Sequence, residues 1–176
     1  MLSSSYALEF IAKSEEYVKT HTPPPFIQDV PLSERPHTII FCCADGRVNP
    51  LALFGLGLTD AIVIRNAGCG IPRMINDLFL LDQFADLREI LIISHTDCGL
   101  THVTDDGVRD SLKRRVPGHD EEIDSIYVGS FKVYSDRVKS DANYIRNHPL
   151  VRKELADNIY GAVYDIKTGK VTRIEV

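Results

Sequence analysis

The stretch Thr38-Ile39-Ile40-Phe41-Cys42-Cys43-Ala44-Asp45-Gly46-Arg47 decides how the rest of the chain is read. An apolar run rich in β-branched residues predicts a buried strand, and this one ends in a thiol, a carboxylate and a guanidinium spaced one residue apart. In open α/β sheets the carboxyl ends of parallel strands carry the chemistry. Ionisable groups delivered together to such a place are costly to desolvate without a task.

Working outward, two further runs have the same form. Ala61 to Ile64 is a buried strand followed by Arg65-Asn66-Ala67-Gly68-Cys69-Gly70, and Glu89 to Ser94 is a third, ending at His95-Thr96-Asp97-Cys98-Gly99. Asn158 to Ile166 reads as a fourth strand, Lys167-Thr168-Gly169-Lys170 as a turn, and Val171 to Val176 as a short edge strand. Between them, Leu51 to Leu58 is a short helical or turn segment, and Met74 to Leu87 is an apolar helix. A further helix begins after Thr104, with Asp105 and Asp106 at its start and Lys113, Arg114 and Arg115 at its end, the polarity that suits a helix dipole. The last helix covers Phe131 to Asn147. Strands alternating with helices predict an α/β domain with a mostly parallel central sheet of four strands plus a C-terminal edge strand, and helices on both faces. Upstream, Tyr6, Phe10 and Tyr17 recur at helical spacing before Pro23-Pro24-Pro25. Residues 1–30 are therefore expected to form a helical arm with a proline linker, and residues 31–176 the functional domain.

Composition narrows the classes. The 176 residues are 44% hydrophobic and 26% charged, ordinary values for a globular protein, and 20 basic against 25 acidic residues leave a net charge of −5. That balance argues against a nucleic-acid surface. No apolar stretch approaches the roughly 20 residues of a membrane helix. The first twenty residues hold Glu9, Glu15 and Glu16 and no arginine, unlike a secretory or transit signal, so a cytoplasmic location is expected. Four cysteines, at 42, 43, 69 and 98, then favour reduced thiols serving a metal or catalysis over a disulfide framework.

If the first and third strands are neighbours, Cys43 meets His95 and Cys98 at one crevice. Two thiolates and one imidazole suit Zn²⁺, and three protein ligands are the catalytic arrangement, whereas four mark a structural site. Cys42, next to Cys43 on a strand, points to the opposite face as a small buried hydrophobe. Cys69 is more readily a spectator than a ligand, and Asp45 is the candidate for an occasional fourth ligand. Arg47 would keep Asp45 ionised and aimed, so that Asp45 accepts a proton from an activated water. His21, His37, His102, His119 and His148 lack comparable spacing; His102 is read as solvent-facing, with a proton-acceptor role as the alternative. Gly68, with Asn66 and Gly70, is expected in the pocket wall, where glycine allows a ligand to approach the backbone.

Cys43-Ala44-Asp45-Gly46-Arg47 together with His95-Thr96-Asp97-Cys98-Gly99 resembles the β-class carbonic anhydrases, which carry Cys-x-Asp-x-Arg some distance before His-x-x-Cys. Arg65-Asn66-Ala67-Gly68 and the closing hairpin fit the same family. The resemblance implies one Zn²⁺ per chain on Cys43, His95 and Cys98, a catalytic dyad of Asp45 and Arg47, and a substrate oxygen held by the backbone N–H of Gly99. It also implies a homodimer or a dimer of dimers, with the N-terminal helix laid across the partner. Two departures are Gly46, where serine is common, and the absence of glutamine between Val30 and Phe41, where larger members place a substrate donor. The short chain resembles the compact branch, which includes carbonyl sulfide and carbon disulfide hydrolases. Hydration of carbon dioxide to bicarbonate and a proton is the leading expectation, and hydrolysis of carbonyl sulfide or carbon disulfide to hydrogen sulfide the alternative. A non-catalytic zinc protein and a thiol redox protein are the remaining readings.

Overall fold

A computed structural model describes residues 5–176. The chain divides into an N-terminal unit ending at Pro31 and a body from Leu32 to Val176. The first unit is built on α1 (Tyr6–Val18), none of whose residues is buried. Tyr6, Leu8, Phe10, Ile11, Tyr17 and Val18 are all exposed.

The body is a five-stranded sheet. In chain order its elements are β1 (Thr38–Cys43), α2 (Pro50–Phe54), β2 (Ile62–Asn66), α3 (Ile75–Ala85), β3 (Glu89–His95), α4 (Asp105–Arg115), α5 (Asp120–Asp124), α6 (Tyr134–Arg146), α7 (Lys153–Ala156), β4 (Ile159–Tyr164) and β5 (Val171–Ile174). The strand order is β2-β1-β3-β4-β5. β1 pairs in parallel with both β2 and β3, Ile39 facing Ile62 on one side and Ile90 on the other. β3 and β4 are parallel, and β5 returns antiparallel on β4. The anticipated sheet is thus present, with the first and third strands adjacent.

Local chemistry sets the element ends. Asn49 caps α2 by accepting from Ala52 N–H, Pro50 sits in its first turn, and Gly55 closes it at φ +65°. Thr104 caps α4, its hydroxyl accepting from Gly107 N–H at 3.1 Å. β2 runs past its apolar stretch to Asn66, because Arg65 and Asn66 stay in register with Cys42 and Cys43. The helix expected from Met74 starts at Ile75, since Pro72 lies in a separate 3₁₀ turn over Ile71–Arg73. The sequence reading did not include α5 and α7, which are only five and four residues long.

The sheet faces are covered unequally. One buries Ile39, Phe41, Leu78, Leu87, Ile90, Ile92, Val138, Ala142, Ile145 and Leu155 in a large cluster supplied by α3, α6 and α7. The other carries a smaller cluster of Ile40, Cys42, Val48, Ala61 and Ile93, with Leu56, Val63, Leu91 and Tyr164 against it. Each large side chain so buried contributes roughly 1.5–3 kcal/mol. Cys42 lies in the second cluster, opposite Cys43, as strand alternation requires.

Candidate metal centre

Cys43 is the last residue of β1 and His95 the last of β3, so both side chains leave the sheet at its carboxyl edge. Two residues on, Asp97 takes a left-handed backbone (φ +56°), and the chain turns to bring Cys98 back to the same point. Cys43, His95 and Cys98 are all buried, and one ligand atom from each lies within 4.8 Å of the others. Asp45 is not a member of this cluster.

The cluster fits a metal ion on geometry and donor chemistry alike. The Cys43 and Cys98 sulfurs are 4.0 Å apart. Two sulfurs at about 2.3 Å from one tetrahedral ion would stand roughly 3.8 Å apart. His95 Nδ1 donates to the Thr96 carbonyl at 2.9 Å, which leaves Nε2 with its lone pair. Nε2 is buried without a hydrogen-bond partner, and an imidazole nitrogen in that position calls for an acceptor of its electrons.

Electrostatics prepare one sulfur as a thiolate. The Cys43 thiol is driven well below its ordinary value by the Cys98 thiol that donates to it, and by His95 and the backbone N–H groups of Asp45 and Gly68, against the opposing effect of burial. Those two N–H groups reach the sulfur at 3.4 and 3.3 Å. Cys98, sharing the proton, is pushed up by the same contact and by burial. Burial lowers His95, but the adjacent Cys43 thiolate outweighs it and the net shift is upward. The other thiols behave differently. Burial pushes Cys42 up to about 11 and Cys69 well above the usual range, as suits inert core thiols. Cys69 belongs to the large hydrophobic cluster and not to the donor set.

Asp45 and Arg47 form a fork. Arg47 Nε donates to Asp45 Oδ1 at 3.0 Å, Nη2 to Oδ2 at 2.7 Å, and the Arg47 backbone N–H to Oδ1 at 2.9 Å. These bonds hold the Asp45 carboxyl well below the usual carboxylate range. The rest of the guanidinium turns to the other loop: Nη1 donates to Asp97 Oδ2 at 2.8 Å and Nη2 to the Asp97 carbonyl at 3.0 Å. Asp97 Oδ1 in turn meets His102 Nε2 at 3.1 Å. His102 is exposed, as expected, yet it is tied to the site by this contact.

Two further residues shape the loop. Arg65 sends Nε to the Cys43 carbonyl at 3.0 Å and Nη2 to the Asp45 and Val48 carbonyls at 2.6 and 2.5 Å, bracing the turn that carries the dyad. Gly68 stands at φ +71°, and a Cβ there would lie 2.4 Å from Leu100 Cδ1, so its backbone can approach Cys43 only as glycine. Gly99 opens the 3₁₀ turn after Cys98 and is exposed. Sequence reasoning attached no role to Asp97; its signal was available as the acidic residue inside the His-x-x-Cys motif.

A parallel α/β sheet with two cysteine sulfurs and an imidazole at its carboxyl edge, and a carboxylate–guanidinium pair beside them, is a site that could hold a metal ion and belongs to a class of enzymes. Residues 38–171 match the family described as carbonic anhydrase. The chain belongs to that family, in its β class. β-Carbonic anhydrase 1 of Mycobacterium tuberculosis is 27% identical over 170 residues, covering 94% of this chain and 96% of that protein. A carbon disulfide hydrolase of Saccharolobus solfataricus is 28% identical over 192 residues, covering 97% of this chain and 89% of that one. The crystal structure of a carbonic anhydrase from Streptococcus mutans superposes with a TM-score of 0.82 at 29% identity, covering 99% of this chain and all of that one.

Proposed function

We propose that the protein is a zinc enzyme that hydrates carbon dioxide to bicarbonate and a proton. The observation that carries this reading is the three-donor cluster of Cys43, His95 and Cys98 with Asp45 held apart from it by the Arg47 fork. Three protein donors suit a catalytic zinc, and two thiolates favour zinc over harder ions. When bound there, zinc supplies the Lewis acidity that brings a water's pKa down to about 7.

The chain's own groups do the rest. Asp45, ionised throughout the neutral range, accepts the water's proton, and Arg47 fixes the direction of its lone pairs. The Gly99 N–H is proposed to orient a substrate oxygen. Gly68 forms the wall opposite Leu100 and steadies the Cys43 sulfur through its N–H.

Carbonyl sulfide or carbon disulfide is the second reading, favoured by the likeness to a carbon disulfide hydrolase at 28% identity. Addition of water to the carbon of either molecule would then release hydrogen sulfide. The purified protein, loaded with zinc, should hydrate carbon dioxide in a stopped-flow pH assay and release little sulfide from either sulfur substrate. Brisk sulfide release with negligible hydration would reverse the order, and no turnover of any of the three would leave a zinc-binding protein without this activity.

We further propose a homodimer, supported by the apolar face of α1, which finds no burial in its own unit. Residues 1–30 would serve as the exchanged arm and 31–176 as the catalytic domain. Among the described residues no helix is long and apolar enough to cross a membrane. We assign the protein to the cytoplasm, where thiols such as Cys43 and Cys98 stay reduced.

A further inference from the structure

We infer that Asp97 is a positioning residue for Arg47, locking the dyad in the arrangement that keeps Asp45 off the metal. This rests on the function proposed above. Arg47 and Asp97 are both exposed, with side chains 49% and 56% accessible, and an isolated ion pair with that exposure is worth little. The geometry here is not that of an isolated pair.

Arg47 offers Nε, Nη1 and Nη2, and each is engaged by one of two acids from different loops. Asp45 follows β1, and Asp97 follows β3. With only Asp45 as partner, the guanidinium and carboxylate could swing together about the Arg47 stem. Two contacts to Asp97, one to the carboxylate and one to the carbonyl, remove that freedom. Asp97 is itself pinned, by His102 on its second carboxylate oxygen and by Tyr134, whose hydroxyl accepts from the Asp97 N–H at 3.1 Å.

The backbone shows which residues the turn itself would accept. Asp97 holds φ +56°, a region that glycine enters freely and asparagine as readily as aspartate. A residue needed only for the turn would be served as well by either. The carboxylate is what they lack, and Arg47 is what it meets.

The test compares zinc-loaded wild type with Asp97→Asn, Asp97→Gly, Arg47→Lys and the double variant Asp97→Asn/Arg47→Lys. Both Asp97 variants accept a left-handed backbone, so folding is preserved. Each should lower kcat for carbon dioxide hydration about ten- to a hundredfold, with zinc content unchanged and KM within about twofold. On the Arg47→Lys background, Asp97→Asn should cost almost nothing more, because the fork it steadies is gone. An equal loss on both backgrounds would show that Asp97 acts independently of Arg47 and overturn the inference, as would loss of zinc from the single variants or wild-type kcat in them. A second readout needs no turnover. The ¹⁵N NMR signal of the Arg47 Nε–H, identified by its disappearance in Arg47→Lys, should exchange faster with solvent in Asp97→Asn than in wild type. Unchanged exchange would sink the positioning role even if the enzyme were active. Faster exchange in a protein that turns over none of the three substrates would uphold the lock while rejecting the proposed function.

Discussion

At the scale of single residues, the donor set and the dyad make separable demands. Cys98→Ser removes one of two thiolates and should abolish stoichiometric zinc, measured by elemental analysis of the dialysed protein. Asp45→Asn keeps the donor set and its neighbouring N–H contacts but loses the proton acceptor. Zinc should stay, and hydration should fall by about a hundredfold or more, as removal of a general base does. Gly68→Ala tests the close approach of this backbone to Leu100 and the Cys43 sulfur. A methyl group 2.4 Å from Leu100 Cδ1 at φ +71° must displace a neighbour and strain the backbone, so the denaturation midpoint should drop by roughly 1–3 kcal/mol of stability. The Cys43, Asp45, Arg47, His95 and Cys98 positions were legible because side-chain types at fixed spacing declare their chemistry. Asp97 and Arg65 were not, since their importance lies in where they reach across loops: 50 residues to Arg47 for one, and 22 to the Cys43 carbonyl for the other.

At the scale of elements, β1 was legible to the residue, because a continuous apolar run bounded by polar groups leaves one reading. β2 starts one residue into its apolar run and ends two residues beyond it, since a ladder can continue through Arg65 and Asn66 when their side chains find partners outside the sheet. The short helices α5 and α7 lie below the length at which periodicity shows. Helix α6 contains a pair that no strand-end argument anticipates: Arg137 Nε donates to Asp141 Oδ2 at 2.7 Å with both side chains buried, against the large cluster. Removing one partner of such a pair costs about 3–5 kcal/mol, so Arg137→Met should lower the unfolding midpoint sharply. Burial pushes Asp141 up to about 6 despite the opposing guanidinium. A carboxyl whose pKa is raised by folding binds its proton more tightly when native, so its contribution to stability declines as pH rises from about 4 to about 6. Wild type should therefore lose stability relative to Asp141→Asn over that interval, as urea titrations at several pH values would show.

For the whole molecule, the sheet order was predictable in outline. The alternating pattern requires parallel neighbours, but the adjacency of the first and third strands, on which the meeting of Cys43 with His95 depends, entered the reading as a condition and is given by the structure. The unequal covering of the two faces was not visible, because strands buried on both sides read alike whichever element covers them. The exposed apolar residues of α1 lead to a prediction at this scale. Sedimentation equilibrium should find a dimer for the full chain and a weaker one, or a monomer, once residues 1–30 are deleted. A full-length chain that stays monomeric at high concentration would refute the proposed arm.

The adjacency of β1 and β3 has a consequence in time. Hydrogen-bonded strands stand about 4.8 Å apart, a spacing fixed by the peptide ladder. The pairing of Cys42 with Ile93 therefore brings Cys43 and His95 to the same edge of the sheet when the ladder closes, by forces that involve no metal. Chelation should leave the far-ultraviolet circular dichroism nearly intact, in contrast with small zinc domains that unfold when stripped. Folding and charging become successive events. On the proposed zinc function, a cell short of zinc would accumulate finished, idle protein and could bring it into service at once when the ion returned, with no new synthesis.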